Sequence, residues 1–107
     1  MTAYAITRWT ALGDGTRRAI FESLVERPQA VGELAAHFSV SRPAVSQHLK
    51  VLKTAGLVAD QQAGKHRIYR VDLVGLAGLR AELDRFWNKT LAAYKAVVEQ
   101  PAKGEVR

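Results

Sequence analysis

The 107-residue sequence contains no cysteine. That excludes a disulfide framework, a thiolate metal centre and a thiol redox switch. Long apolar runs are missing too: none approaches the roughly 18 residues a membrane-spanning helix needs. No charged leader precedes an apolar core at the N-terminus. The expectation is a soluble cytoplasmic protein with no membrane partner. Acidic residues are few, with 10 Asp and Glu against 16 Lys and Arg, a formal charge of +6. That imbalance points to an anionic partner, nucleic acid first and a membrane surface second. Nucleophile–base pairs, phosphate-binding glycine loops and His or carboxylate clusters of useful spacing are all absent. Neither an enzyme nor a metal or cofactor site is expected.

What is present reads as one domain over residues 1–100, followed by a polar, frayed tail at 101–107. A chain this small buries a modest core, so oligomerisation would help its stability. Tyr4, Ala5, Trp9 and Leu12 recur at helical spacing and predict a short first helix ending at Gly13. Asp14 then suits an N-cap, and a second helix runs to about Glu26 before Pro28. Ala19, Ile20, Phe21 and Leu24 face inward from it. Val31, Leu34, Ala35 and Phe38 define a third helix over 31–38. Ser41 caps a fourth, with Pro43 in its first turn and Gly56 past its end. Its inner stripe is Val45, Leu49 and Leu52.

After Gly56 the period changes. Residues 57–62 suit an extended strand, 63–66 a turn, and Arg67 to Val71 alternate polar and apolar as a half-buried strand does. Asp72 caps a last helix that runs to about Val98. Leu76, Leu79, Leu83, Phe86, Thr90, Leu91, Tyr94 and Val97 follow along it at spacings of three and four. The fold class is mainly α with one β-hairpin: a winged helix-turn-helix of about five helices and a two-stranded wing.

In that arrangement the fourth helix docks through its apolar stripe and turns Arg42, Ser46, Gln47 and Lys50 outward. An α-helix fits the major groove of B-DNA, where Gln pairs with adenine, Arg with guanine, and Ser with several base edges. The capped N-terminus at Ser41 suits a phosphate. From Ser41 to Val71 six cations face a single acid, Asp60, so this stretch carries five of the six net positive charges. Lys65, His66 and Arg67 at the wing tip suit a neighbouring groove or phosphate. A lone chain would expose Leu79, Leu83, Phe86, Leu91 and Tyr94 as a large apolar patch. A two-fold dimer covers them and sets two recognition helices about 34 Å apart.

Three stretches resemble the ArsR (arsenic-repressor) family: Leu12-Gly13-Asp14-Gly15-Thr16-Arg17-Arg18, Val31-Gly32-Glu33-Leu34-Ala35, and the run from Ser41 to Val58. Gly64-Lys65-His66-Arg67-Ile68-Tyr69 continues the match. The resemblance implies a homodimeric repressor that binds an inverted-repeat operator in double-stranded DNA. It assigns DNA reading to Ser41, Arg42, Ser46, Gln47 and His48. It also implies dimerisation through the first and last helices, which adds Tyr4 and Trp9 to the interface. The chain departs from the metal-sensing members. Their E-L-C-x-C pattern is here Glu33-Leu34-Ala35-Ala36-His37, and the last helix lacks the His used by zinc-sensing members. Control then falls either to an unidentified small-molecule effector or, as is common in the family, to autorepression.

Several side chains admit a plainer role. His37, without a ligand partner, is expected exposed or capping. His48 suits a phosphate contact or helix packing, and His66 is a polar group of the wing. Arg17 and Arg18 suit phosphate, or Arg17 an internal acid. Lys50 and Lys53 suit a solvated helix face, Lys53 more so because it lies late in the helix. The competing functions are a winged-helix module for RNA or protein interaction, and a non-specific DNA coat.

Overall fold

The computed structural model describes residues 7–100. Helix α1 spans Arg8–Ala11, α2 Gly15–Glu26, α3 Val31–His37, α4 Arg42–Thr54 and α5 Leu73–Glu99. Strand β1 is Gln29–Ala30, β2 Val58–Ala63 and β3 His66–Val71. The described residues fall into two compact units that divide after Ala77. The first holds α1 to α4, the sheet and the opening of α5. The second is the rest of α5.

Local chemistry sets the boundaries. Asp14 accepts the Arg17 N–H at 2.9 Å and starts α2. Ser41 Oγ accepts the Ala44 N–H at 3.2 Å and starts α4. Each satisfies a donor that the helix itself leaves free. Helix α4 ends in a Schellman turn. Gly56 sits at φ +80°, the Leu57 N–H reaches the Leu52 carbonyl, and the Gly56 N–H reaches that of Lys53. Only glycine takes that φ without a Cβ penalty. The hairpin closes through Gly64 and Lys65, with Ala63 opposite His66. Gly64 has φ +62° at the first turn position, as a type II′ turn requires. Asp72 Oδ1 accepts the N–H groups of Val74 and Gly75 and starts α5.

Ile20, Leu24, Leu34, Val45, Leu49, Leu52, Leu57 and Val58 form the core. Each such side chain contributes about 1.5–3 kcal/mol on burial. Helix α4 packs against α1, α2, α3 and β2, so the proposed recognition helix is held from several directions.

Two expectations need adjustment. The expected two-stranded wing is present as β2 and β3, and a third strand, β1, which the sequence did not suggest, extends the sheet in the order β1-β3-β2. Gln29 pairs with Tyr69 and Ala30 with Ile68. A two-residue strand has no visible period. It is fixed instead by Gln29, a buried amide whose Nε2 donates to the Ser23 carbonyl and hydroxyl at 3.0 and 2.9 Å. Helix α1 starts at Arg8, where Thr7 caps it by accepting the Thr10 N–H. Tyr4 and Ala5, expected on that helix, lie outside the described residues, as does the expected tail at 101–107.

Within the first unit, the opening turn of α5 meets the turn after α4 through glycine. Gly75 is the one buried residue of the helix among those described. A Cβ there would overlap the Gly56 carbonyl. The Asp72 N–H also donates to the Leu57 carbonyl at 2.9 Å. The end of α4 and the start of α5 are thus joined backbone to backbone.

Candidate nucleic-acid interface

Val45, Leu49 and Leu52 are fully buried, which fixes the rotation of α4 about its axis. Ser46, Gln47 and Lys50 consequently lie exposed on the other side, and Ser41 and Arg42 are exposed at the helix N-terminus. Ser46, Gln47 and Lys50 make no side-chain hydrogen bond or ion pair among the described residues. Their donors and acceptors are open to a ligand. The wing tip carries Lys65, His66 and Arg67, all exposed.

Arg42 sits differently from its neighbours on α4. Its guanidinium lies against Gly32, where a Cβ would overlap it. Arg42, Gly32, Glu33, Ala30, His66 and Ile68 line a groove of about 320 Å³ between α3, α4 and the wing. Glu33 is committed elsewhere: it accepts the Ala30 N–H at 3.0 Å and pairs with Arg27 at 3.1 Å. The Ala30 hydrogen bond, then Arg27, hold its carboxyl below the usual range.

Two other candidates have internal partners. His48 is half-buried, with Nδ1 at 3.3 Å from Arg17 Nη1. Arg17 Nε donates to the Ala11 carbonyl at 2.6 Å. Arg17 therefore joins α1, α2 and α4, through a carbonyl and an imidazole where the sequence offered an acid or a phosphate. Arg67 Nη1 donates to Asp60 Oδ2 at 2.9 Å, and Lys53 Nζ meets Asp60 Oδ1 at 2.8 Å. The Asp60 side chain is only 8% exposed. Its carboxyl is held below the ordinary value, first by Lys53, then by Arg67, against the opposing effect of burial. Lys53 was expected on a solvated face; it is half exposed but bound. Sequence reasoning counted Asp60 as a charge and missed it as a junction, because its partners come from α4 and β3.

The expected dimer residues are split between the two units. Trp9 on α1 is 47% exposed. On α5, Leu79 is half-buried, and Leu83, Phe86, Leu91 and Tyr94 are exposed. Trp87, Val97 and Val98 are exposed as well, and at 100° per residue they fall within the same stripe. Trp87 and Val98 are additions to the sequence reading. No helix among the described residues is long and apolar enough to cross a membrane.

Comparison with known proteins decides the family. Residues 14–60, which include α2, α3 and α4, match the profile described as bacterial regulatory protein, arsR family. The HTH-type transcriptional regulator Rv2034 of Mycobacterium tuberculosis is 60% identical over 91 residues, 85% of each chain. The chain belongs to the arsR family. It is a DNA-binding transcriptional regulator and not an enzyme. The crystal structure of a possible transcriptional regulator for arsenical resistance is similar to this arsR-family chain, with TM-score 0.71 and 43% identity. That match covers 80% of this chain and 94% of the other. A homodimeric winged helix-turn-helix DNA-binding domain from Mycobacterium bovis, a possible ArsR-family regulator, matches at TM-score 0.63 and 27% identity. It covers 78% of each chain. The winged helix-turn-helix assignment therefore holds for this arsR-family member.

Proposed function

We propose that the protein is a homodimeric repressor that occupies an inverted-repeat operator and blocks polymerase, its own promoter included. The observation that carries this reading is the division of α4. Val45, Leu49 and Leu52 are fully buried, while Ser46, Gln47 and Lys50 are exposed on the opposite face. Ser46 and Gln47 read base edges, Ser41 and the α4 N-terminus meet a phosphate, and Lys50 meets the backbone. Arg42 leaves its groove beside Gly32 to reach a guanine or a phosphate. Lys65 and His66 meet the neighbouring groove from the wing. His48 and Arg67 border that surface, each also tied to an internal partner, Arg17 and Asp60.

The apolar stripe of α5 supports a dimer, as does the homodimeric state of the similar Mycobacterium bovis domain. Two copies of α4 set about 34 Å apart would meet successive major grooves on one side of the duplex.

Selection of genomic DNA fragments on the purified protein tests this reading. Enrichment of an inverted repeat, with one copy upstream of the protein's own gene, is the expected result. Binding to every duplex alike, with no enriched sequence, would overturn sequence-specific repression. Within an enriched site, Gln47→Ala should lose about 1–3 kcal/mol of discrimination at one base pair per half-site. Unchanged base preference in that variant would show that another face of the protein reads the DNA.

A further inference from the structure

From the junction of Lys53, Asp60 and Arg67 we infer that Asp60 is an internal counter-anion that withholds two cations from DNA phosphates and thereby sets the protein's specificity. The inference rests on the DNA-binding reading above and concerns the same surface. Asp60 lies on β2 with its side chain 8% exposed. Lys53 reaches it from the last turn of α4 at 2.8 Å, and Arg67 from β3 at 2.9 Å. Both cations are about half exposed, at 55% and 47%. They cap the carboxylate and face solvent at the seam between recognition helix and wing.

Phosphate attraction does not depend on sequence and dominates non-specific binding. A cation already paired with a nearly buried carboxylate gains less from a phosphate, since moving to it would leave that carboxylate without its partner. Asp60 therefore lowers affinity for every duplex alike. Contacts from Ser46 and Gln47 depend on base edges and are unaffected by it. The ratio of operator binding to non-specific binding rises as a result. The contrast with Lys50 and Lys65 supports this reading. Neither has an ion pair among the described residues, so both are available to phosphate.

The test compares salt dependence on a random-sequence duplex for the intact protein, Asp60→Asn, Glu22→Gln and Lys53→Gln. Asparagine keeps the shape of the carboxylate and removes its charge. Asp60→Asn should bind the random duplex at least about tenfold more tightly at low salt, with a log–log salt slope steeper by about one to two units per subunit as one or both cations turn to phosphate. Its advantage for a selected site should shrink. Glu22→Gln removes an equal charge from an exposed position on α2 and should leave the slope within about 0.3 units. Lys53→Gln should do the same, because Lys53 is held on Asp60 and makes no phosphate contact.

An unchanged slope in Asp60→Asn overturns the inference. A Glu22→Gln effect equal to that of Asp60→Asn overturns it too, by reducing the cause to net charge. A drop of about 0.9 units in Lys53→Gln also does so, by showing that Lys53 already meets phosphate. That last arm stands even if Asp60→Asn does not fold. Failure of the intact protein to bind any duplex would overturn the DNA-binding reading along with this one; the other outcomes leave that reading in place.

Discussion

Helix α4 and the later part of α5 are both amphipathic, but their apolar faces have different surroundings. The stripe of α4 is fully buried within its own chain. From Leu83 onward every described residue of α5 is exposed. The first helix is ordered by a core and leaves a polar face free for a ligand. The second presents an apolar face that is exposed among the described residues, the face that the proposed second copy would cover. With that dimer, stability and assembly are separable, and substitutions should divide along the same line.

The largest effect is expected in the core. Leu49→Ala removes a side chain with no exposure and should cost about 2–5 kcal/mol in denaturant unfolding. A cost under about 1 kcal/mol would mean that α4 is not held as described. The double variant Leu83→Glu, Leu91→Glu attacks the other stripe. Sedimentation should show it falling to single-chain mass while the first unit keeps its helical circular dichroism. Retention of the dimer mass would place the interface elsewhere.

Smaller effects sharpen the contrast at the ends of α4. Ser41→Ala deletes the cap to the Ala44 N–H and should cost about 1 kcal/mol. Ser41→Asp should recover most of that stability while weakening DNA binding, because its charge opposes phosphate. Equal recovery of both would remove Ser41 from the interface.

The smallest effect is with pH. Asp14, Glu33 and Asp60 all have carboxyl groups held below their ordinary values. The leading causes are the Arg17 N–H for Asp14, the Ala30 N–H for Glu33 and Lys53 for Asp60. A lowered folded-state value contributes stability that is complete above the ordinary carboxylate range and is lost as pH falls through the folded-state value. Melting temperature should hold between pH 7 and about 5 and decline below about 4. A melting temperature that rises on acidification would contradict the sign of all three shifts.

The sequence carried the elements whose signals are local. Asp14, Ser41, Gly56, Gly64 and Asp72 act through neighbours a few residues away, and each marks a boundary close to where the structure has it. The stripe of α4 was legible for the same reason: its period is that of the helix itself. Strand β1 was not legible, because two residues with a polar lead carry no pattern and Gln29 is fixed by Ser23 and Tyr69. Interactions across elements were hidden as well. Nothing along the chain tells that Asp60 meets both Lys53 and Arg67, that Arg17 meets His48, or that Arg42 rests on Gly32. The candidate DNA-facing residues were legible by type and helix face; their internal partners were not.

The abutment of Gly75 on the Gly56 carbonyl carries a consequence for mutational tolerance. These two positions, 19 residues apart along the chain, are restricted for different reasons. Position 56 needs a left-handed backbone, and position 75 needs empty space. No side chain at 75, not even a methyl group, fits without lifting the start of α5 from the turn that ends α4. A survey of all single substitutions should therefore show position 75 as intolerant as any core leucine, although it contributes no side chain to the core. Intolerance of that kind would look catalytic in a protein that performs no catalysis.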